Sequence, residues 1–489
     1  MSGILRETKA WHLWVTVLAV VLAGLGVFLY YMFFRQSESD VVECVPPDAV
    51  FVFDINDNGD FASKASSFAV YLNEIFALDA LPAFETMCSK VNPVDPRFTI
   101  SAHRQDSEMK LLFNLRASKS EFKKLLRALK IDQKNYTVFE NCRIYTYGTD
   151  FQNMKFTYSN NVISFSTDPG LLKKAILQQI HPKKIFSDEN FGKVYGISEK
   201  NRKQNWLFVD QAMYLDFLKD YLNRDDMEGF ISELPKASWS CYQIRFSKNE
   251  IFFSGYALAD GAPASVVVGN GFDLAPSIPS RVKRLSRYET LGSDDVFGLS
   301  GVKLSRGGIA SRLPFQEVCV FTYRSDTSYV TMAAALPDST VSVLSFYSGE
   351  NVSDSLLRAT VDNIYPVPAD ISSRLLPVVG DTVRWFAETG GTFVFSGSRQ
   401  ELAAYRKTIG RNEVLSNNTT FGLISDAVAS SAVREFSLFN DKDDPYFYKK
   451  LSEKGRGSIV WQNIRAFSLS YGSSSDKEFV PVNVYIFFQ

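Results

Sequence analysis

Histidine is almost missing from this chain: three residues in 489, at positions 12, 103 and 181. No HExxH helix motif and no Cys/His cluster with metal-ligand spacing can be built from them, so the sequence offers no zinc-type site. His12 borders an apolar run, His103 sits in a polar stretch and His181 precedes Pro182, so each reads as a surface or loop residue. The chain also lacks a G-x-S-x-G nucleophile elbow and both glycine-rich phosphate-binding signatures. A carboxylate pair could still meet in the fold, but nothing in the spacing selects one. The expectation is therefore no catalytic, metal or cofactor residue, and a protein that is not an enzyme.

Cysteine is scarce and odd in number: Cys44, Cys88, Cys142, Cys241 and Cys319. Their wide spacing excludes a disulfide framework of the small secreted kind. Free buried thiols are expected, with one bridge, or a Cys44 link between two chains, left open. Neither sign of charge dominates, with 53 Lys+Arg against 54 Asp+Glu. That balance gives no broad field for holding nucleic acid.

What the sequence has is one long apolar run. From Trp14 to Phe34 no residue is charged. At about 1.5 Å per residue this makes roughly 31 Å of helix, the ~30 Å hydrocarbon thickness of a bilayer. A cleaved signal peptide has a shorter apolar region that ends in small residues; this run ends in Tyr30, Tyr31, Phe33 and Phe34, aromatics suited to a membrane interface. A lipidated Cys44 is also disfavoured, because it lies well beyond the run and follows Val-Val-Glu. Arg6 and Lys9 precede the run, whereas Glu38, Asp40 and Glu43 follow Arg35 after it. Cations favour the cytoplasmic side. The expected partner of residues 14–34 is thus a lipid bilayer, with residues 1–13 in the cytoplasm, a tether over 35–46, and the body exported.

The body alternates strand-like and helix-like patterns. AVFVFDI (49–55) reads as a buried strand, and 61–84 carry helical spacing with Phe68, Leu72, Ile75 and Phe76 on one face. Ser118-Lys-Ser-Glu121 is a capping box that opens a helix over Phe122, Leu125, Leu126 and Leu129. The Ser159-Asn160-Asn161 break between KFTYS and VISFS predicts a hairpin. Thr167-Asp168-Pro169 predicts the start of a helix buried along Leu172, Ile176 and Ile180. The same order returns 230 residues later. Phe165-Ser166 matches Phe395-Ser396, Leu172 matches Leu402, Phe191-Gly192 matches Phe421-Gly422, and Phe217 matches Phe447. Trp206, Phe208 and Asp210 fall opposite Phe436, Leu438 and Asn440. The expected fold class is α+β: a single N-terminal transmembrane helix, then antiparallel sheets with packed helices in two duplicated halves, 47–260 and 282–489, around a linker at 261–281.

Three further motifs are weighed. Asp54-Ile-Asn56-Asp-Asn58-Gly59 matches half a calcium loop, but the twelfth position, where a bidentate Glu belongs, is Ala65. Arg281-Val-Lys-Arg-Leu-Ser-Arg287, the densest basic run, reads as a solvated face. Asn135, Asn351 and Asn418 open glycosylation sequons by pattern only.

The layout resembles a Bacteroidetes-type family of envelope proteins whose domain has no assigned function. The likeness rests on the N-terminal anchor, on Val45-Pro-Pro-Asp-Ala-Val-Phe-Val-Phe53, on VISFSTDPGLLKKAI followed by Asn190-Phe191 and WLFVDQAMYLDFL, and on FVFSGSRQELAAY through TTFGLI and FSLFND. It implies a periplasm-facing body and supplies no catalytic residues. The expected role is that of an anchored scaffold or accessory component with an envelope-protein partner; a binding module for a hydrophobic or glycan ligand is the alternative, motivated by 40 Phe and 22 Tyr.

Overall fold

The computed structural model describes residues 40–56, 97–105, 108–132, 134–148, 153–180, 185–199, 203–221, 237–259, 272–289, 315–325, 328–337, 342–343, 361–379, 382–422, 432–440, 463–472 and 478–488. The helix expected over 61–84 and the run 14–34 lie outside these residues, as do His12, His181, Cys88 and Asn351.

The expected α+β class is corrected. Nineteen strands dominate the described chain, and every registered pairing is antiparallel. Among the described residues no helix is long and apolar enough to cross a membrane. The physical reason is local: alternating runs joined by tight turns extend a sheet, while the described helices stop after three turns or so. Cα packing divides the chain into two units, 1–47, 83–99 and 112–185 in one and 48–82, 100–111 and 186–489 in the other.

In chain order the first strands are β1 (Ala49–Ile55), β2 (Phe98–Gln105) and β3 (Glu108–Arg116). The first unit then holds α1 (Lys119–Ala128), β4 (Thr137–Phe139), β5 (Cys142–Gly148), β6 (Asn153–Ser159), β7 (Val162–Ser166) and α2 (Pro169–Ile180). Its strands pair in the order β4-β5-β6-β7-β3. α1 begins with the capping box: Ser118 Oγ accepts from Glu121 N, and the Glu121 carboxylate accepts from Ser118 N at 2.6 Å. Asn160 and Asn161 both have positive φ, 47° and 63°, the two-residue turn that suits the twist of paired strands. α2 packs Leu171, Leu172, Ala175 and Ile176 against Leu112 and Ile144, each large side chain contributing about 1.5–3 kcal/mol by leaving water.

The second unit continues with α3 (Glu189–Glu199), β8 (Trp206–Asp210), α4 (Gln211–Tyr221), β9 (Ala237–Ser247), β10 (Glu250–Ala259), β11 (Val282–Glu289), β12 (Phe315–Arg324) and β13 (Tyr329–Pro337). β14 (Ile364–Pro366), α5 (Ala369–Val379), β15 (Trp385–Thr389), β16 (Thr392–Ser396), α6 (Arg399–Gly410), β17 (Ala432–Phe439), β18 (Ile464–Gly472) and β19 (Phe479–Phe488) complete it. The pairing order is β1-β8-β9-β10-β19-β18-β17-β11-β12-β13-β16-β15-β14. Two cores form on opposite faces of its far end. One gathers Leu285, Phe321, Met332, Leu402 and Tyr405; the other gathers Val318, Ala333, Leu375, Phe386 and Phe395.

One local structure occurs twice, at the offset of 230. The turn Asn160-Asn161 corresponds to Gly390-Gly391, also at positive φ. β7 then corresponds to β16 and α2 to α6, and the 3₁₀ turn Ile185–Ser187 to Leu415–Asn417. Even the strand-to-helix hydrogen bond repeats: Ser166 Oγ accepts from Asp168 N and Ser396 Oγ from Ser398 N, both at 3.1 Å. The register slips further on. Phe208 shares a face with Cys241, Tyr256 and Pro481, whereas Leu438 pairs across to Phe467 and Ile486, which point to the other face of β19. A one-residue slip turns every side chain over, so Phe439 rather than Leu438 shares the face of Phe208.

Candidate functional site

Two places in the second unit bring polar chemistry together. The first is a hydrogen-bonded chain that sequence reasoning missed. His103, expected at the surface, is 3% exposed on β2. Its Nε2 lies 2.9 Å from Ser101 Oγ and its Nδ1 lies 3.0 Å from Asp48 Oδ1. Serine on one ring nitrogen and carboxylate on the other is the arrangement of an acyl-transfer triad. The order of exposure is the reverse of what that chemistry needs. Ser101 is fully buried, while the Asp48 side chain is 39% exposed. As folded, the chain ties the start of β1 to β2 and satisfies a buried imidazole. A sequence signal existed, since Ser101 and His103 are two apart on one strand and share a face. Asp48 could not be foreseen from spacing.

The second place is the middle of the sheet, on the face that bears α3. Phe191 and Tyr195 of α3 cover Phe208, and Phe191 also packs on Trp239 at 4.9 Å. Asp188 caps α3 by accepting from Asn190 N and Phe191 N, and its other oxygen accepts from Trp239 Nε1 at 2.8 Å. Beyond α3 the same face of β9, β10 and β19 carries a half-buried polar row. Gln243, Ser254 and Asn483 stand directly opposite one another across these three strands. All three are half-buried, and none of the three side chains hydrogen-bonds to any described residue. The next row on one side pairs Arg245 with Phe252, the guanidinium 4.7 Å from the ring centre, and continues to Tyr485. The Tyr485 hydroxyl donates to Glu250, and burial followed by that carboxylate holds it well above the usual phenol range. On the other side Cys241 is buried, and burial pushes its thiol up to about 12, so it is inert as a nucleophile. Opposite it, Tyr256 is 40% exposed.

The remaining motifs find structural roles. Asn56 of the calcium-like loop donates its amide to Gln204 O at 2.9 Å, and no group of metal-ligating residues occurs among the described residues. The basic run 281–287 is not a solvated face. It forms β11, paired on both sides, with Lys283 and Arg287 buried. Arg287 Nε lies 2.6 Å from Glu317 Oε1, and its guanidinium lies 5.1 Å from the Phe272 ring centre. Asn418 caps a helix by accepting from Thr420 N and Phe421 N while its amide donates to Ser280 O. Cys44, Cys142, Cys241 and Cys319 are free thiols, and Cys44 is fully buried rather than presented to a second chain.

No family model matches the chain, and no curated protein matches it. Two solved structures, crystal forms III and I of TP0453, align with TM-scores of 0.25 and 0.24 at 9% and 8% identity. They cover 73% and 76% of this chain, and 92% and 99% of their own. A likeness at that level carries no argument about fold or function.

Proposed function

We propose that the protein is a non-enzymatic binding scaffold of a bacterial cell envelope, held to the inner membrane by its apolar run at 14–34, with its body in the periplasm. The observation that carries the binding role is the row Gln243, Ser254 and Asn483. Buried polar side chains ordinarily find a partner in protein or water, as Ser437 does with Ser468 at 2.9 Å. Three adjacent ones without described partners suit a surface kept for something else to bind. The sealed Ser101 supports a role without acyl transfer. The uncharged length of 14–34, the cations before it and the likeness to anchored envelope proteins support the placement.

Purification of the full chain from gently solubilised membranes is expected to bring a stoichiometric protein partner, and Tyr256→Arg to release it. Protease added outside spheroplasts is expected to digest the body. Repeated recovery of a lone chain would overturn the scaffold role, and a body protected from protease would overturn the placement.

A further inference from the structure

The folded body begins soon after the apolar run ends. We propose that the first unit is therefore mounted directly on the bilayer, with one end of its sheet against the phospholipid headgroups. The inference rests on the anchor reading above and deepens it.

Residues 40–45 do not hang free. Val41, Val42, Cys44 and Val45 are each 1% exposed or less. The 3₁₀ turn Val41–Cys44 packs against α2, and Val41 and Cys44 close on Val162 of β7. Asp40 caps that turn by accepting from Val42 N, and its other oxygen lies 2.9 Å from Arg97 Nη1. Val41 O accepts from Thr99 Oγ1. The second unit repeats the arrangement. There Asp273 precedes the turn Ala275–Ser277, and Leu274 and Ile278 on either side of it are fully buried. Ser277 Oγ donates to Thr392 Oγ1 at 3.0 Å, at the place where Cys44 meets Val162. Segment 40–45 is thus the opening element of a repeat.

Little slack is left. The uncharged run ends at Phe34, and six peptide units join it to Asp40. Fully extended, these span about 20 Å. The headgroup layer takes up roughly 5–8 Å of that. Asp40 therefore stands no more than about 15 Å above the headgroups.

The strand register identifies the end that faces lipid. Arg97 O accepts from Arg116 N at the end of β3, and Asn161 O accepts from Ala117 N. The turns Asn160-Asn161 and Glu140-Asn141 and the start of α1 share that end. α2 leaves β7 at the far end and runs back for about 18 Å, which returns Ile180 toward the turns. The end presents Lys119, Glu140, Asn141 and Asn160, all exposed, and Ile180 at 39% exposure. Polar groups of both signs suit headgroups, and an exposed apolar side chain can enter the layer between them. Lys119 and Glu140 offset each other, so the contact does not lean on lipid charge. The short link supplies a high effective concentration, and weak contacts suffice.

The test reconstitutes the full chain in phosphatidylcholine vesicles that include lipids with a nitroxide on the headgroup. A fluorescent amino acid is placed in turn at Asn160, at Ile180 and at Gly148, which lies about 20 Å along β5 from the Glu140-Asn141 turn. Quenching at 160 and 180 is expected to exceed that at 148 by about threefold or more. An insertion of about twenty Gly/Ser residues between Ser37 and Glu38 lengthens the link. It should at least halve the quenching at 160 while the protein still floats with the vesicles. Unaltered melting curves will show that the labelled chains fold. Equal quenching at the three sites, or quenching at 160 indifferent to the insertion, overturns the proposal. A chain that does not float with the vesicles overturns the anchor reading instead.

Discussion

β1 and β11 occupy corresponding places. Each is paired on both sides, β1 with β2 and β8 and β11 with β12 and β17, and each begins a run of long antiparallel neighbours, β8-β9-β10 for β1 and β17-β18-β19 for β11. Their sequences could hardly differ more. β1 is AVFVFDI, buried at every position, with Phe51 and Phe53 edge to face at 5.6 Å. β11 is VKRLSRYE, yet Lys283, Leu285, Ser286 and Arg287 are equally buried. Burial is therefore imposed by position in the sheet, and composition decides only how its cost is met. β1 meets it with apolar area. β11 meets it at Arg287 with a carboxylate from β12 and the face of Phe272.

Breaking the charged solution should have the largest effect. Glu317→Ala leaves the Arg287 charge buried without that carboxylate and should cost about 3–5 kcal/mol in chemical denaturation. The double change Arg287→Met with Glu317→Leu makes β11 resemble β1 and should recover stability to the wild-type level or beyond. If the double variant were as unstable as the single one, an apolar core could not substitute here and the comparison would fail.

Gly255→Ala probes the strand where the two series meet. An added Cβ would stand 1.8 Å from Cys241 O and 2.8 Å from Tyr242 Cα, both backbone atoms, so β10 must move. A loss of about 1–3 kcal/mol is expected, with the β10–β19 amides losing hydrogen-exchange protection first.

The smallest expected effect sharpens the contrast between Asp210, which ends β8, and Asn440, which follows β17. Asp210 is held above its ordinary 3.8, first by burial and then by Asp188 and Asp216, against the backbone N–H groups of Met213 and Ala212. An acid raised on folding resists ionisation in the folded state. Stability is thus complete below 3.8 and is lost as pH rises through the higher folded value. Asp210→Asn keeps an acceptor for Met213 N, now at 3.0 Å, and should raise the melting temperature at pH 7 but not near pH 3. Equal gains at both pH values would refute the electrostatic account.

Local grammar was legible in the sequence. The Ser118–Glu121 box, the Asn160-Asn161 turn and the Asp168 cap depend on neighbours within a few residues. The constant offset from β7 to the 3₁₀ turn after α2 was legible for the same reason. The slip at β8 and β17 was not, because face assignment depends on partner strands far along the chain. The polar row across β9, β10 and β19 was equally hidden. Gln243, Ser254 and Asn483 are separated by a hairpin in one case and by most of the second half in the other.

By itself the sequence determined where helices and hairpins begin, that no familiar catalytic motif is present, and that one segment is apolar enough for lipid. Only the tertiary structure decided that His103 is interior, that a basic run is core, and that three scattered polar residues stand in line. The reason is range. Caps and turns are set by hydrogen bonds a few residues apart, whereas burial and alignment are set by which distant strand comes to lie alongside.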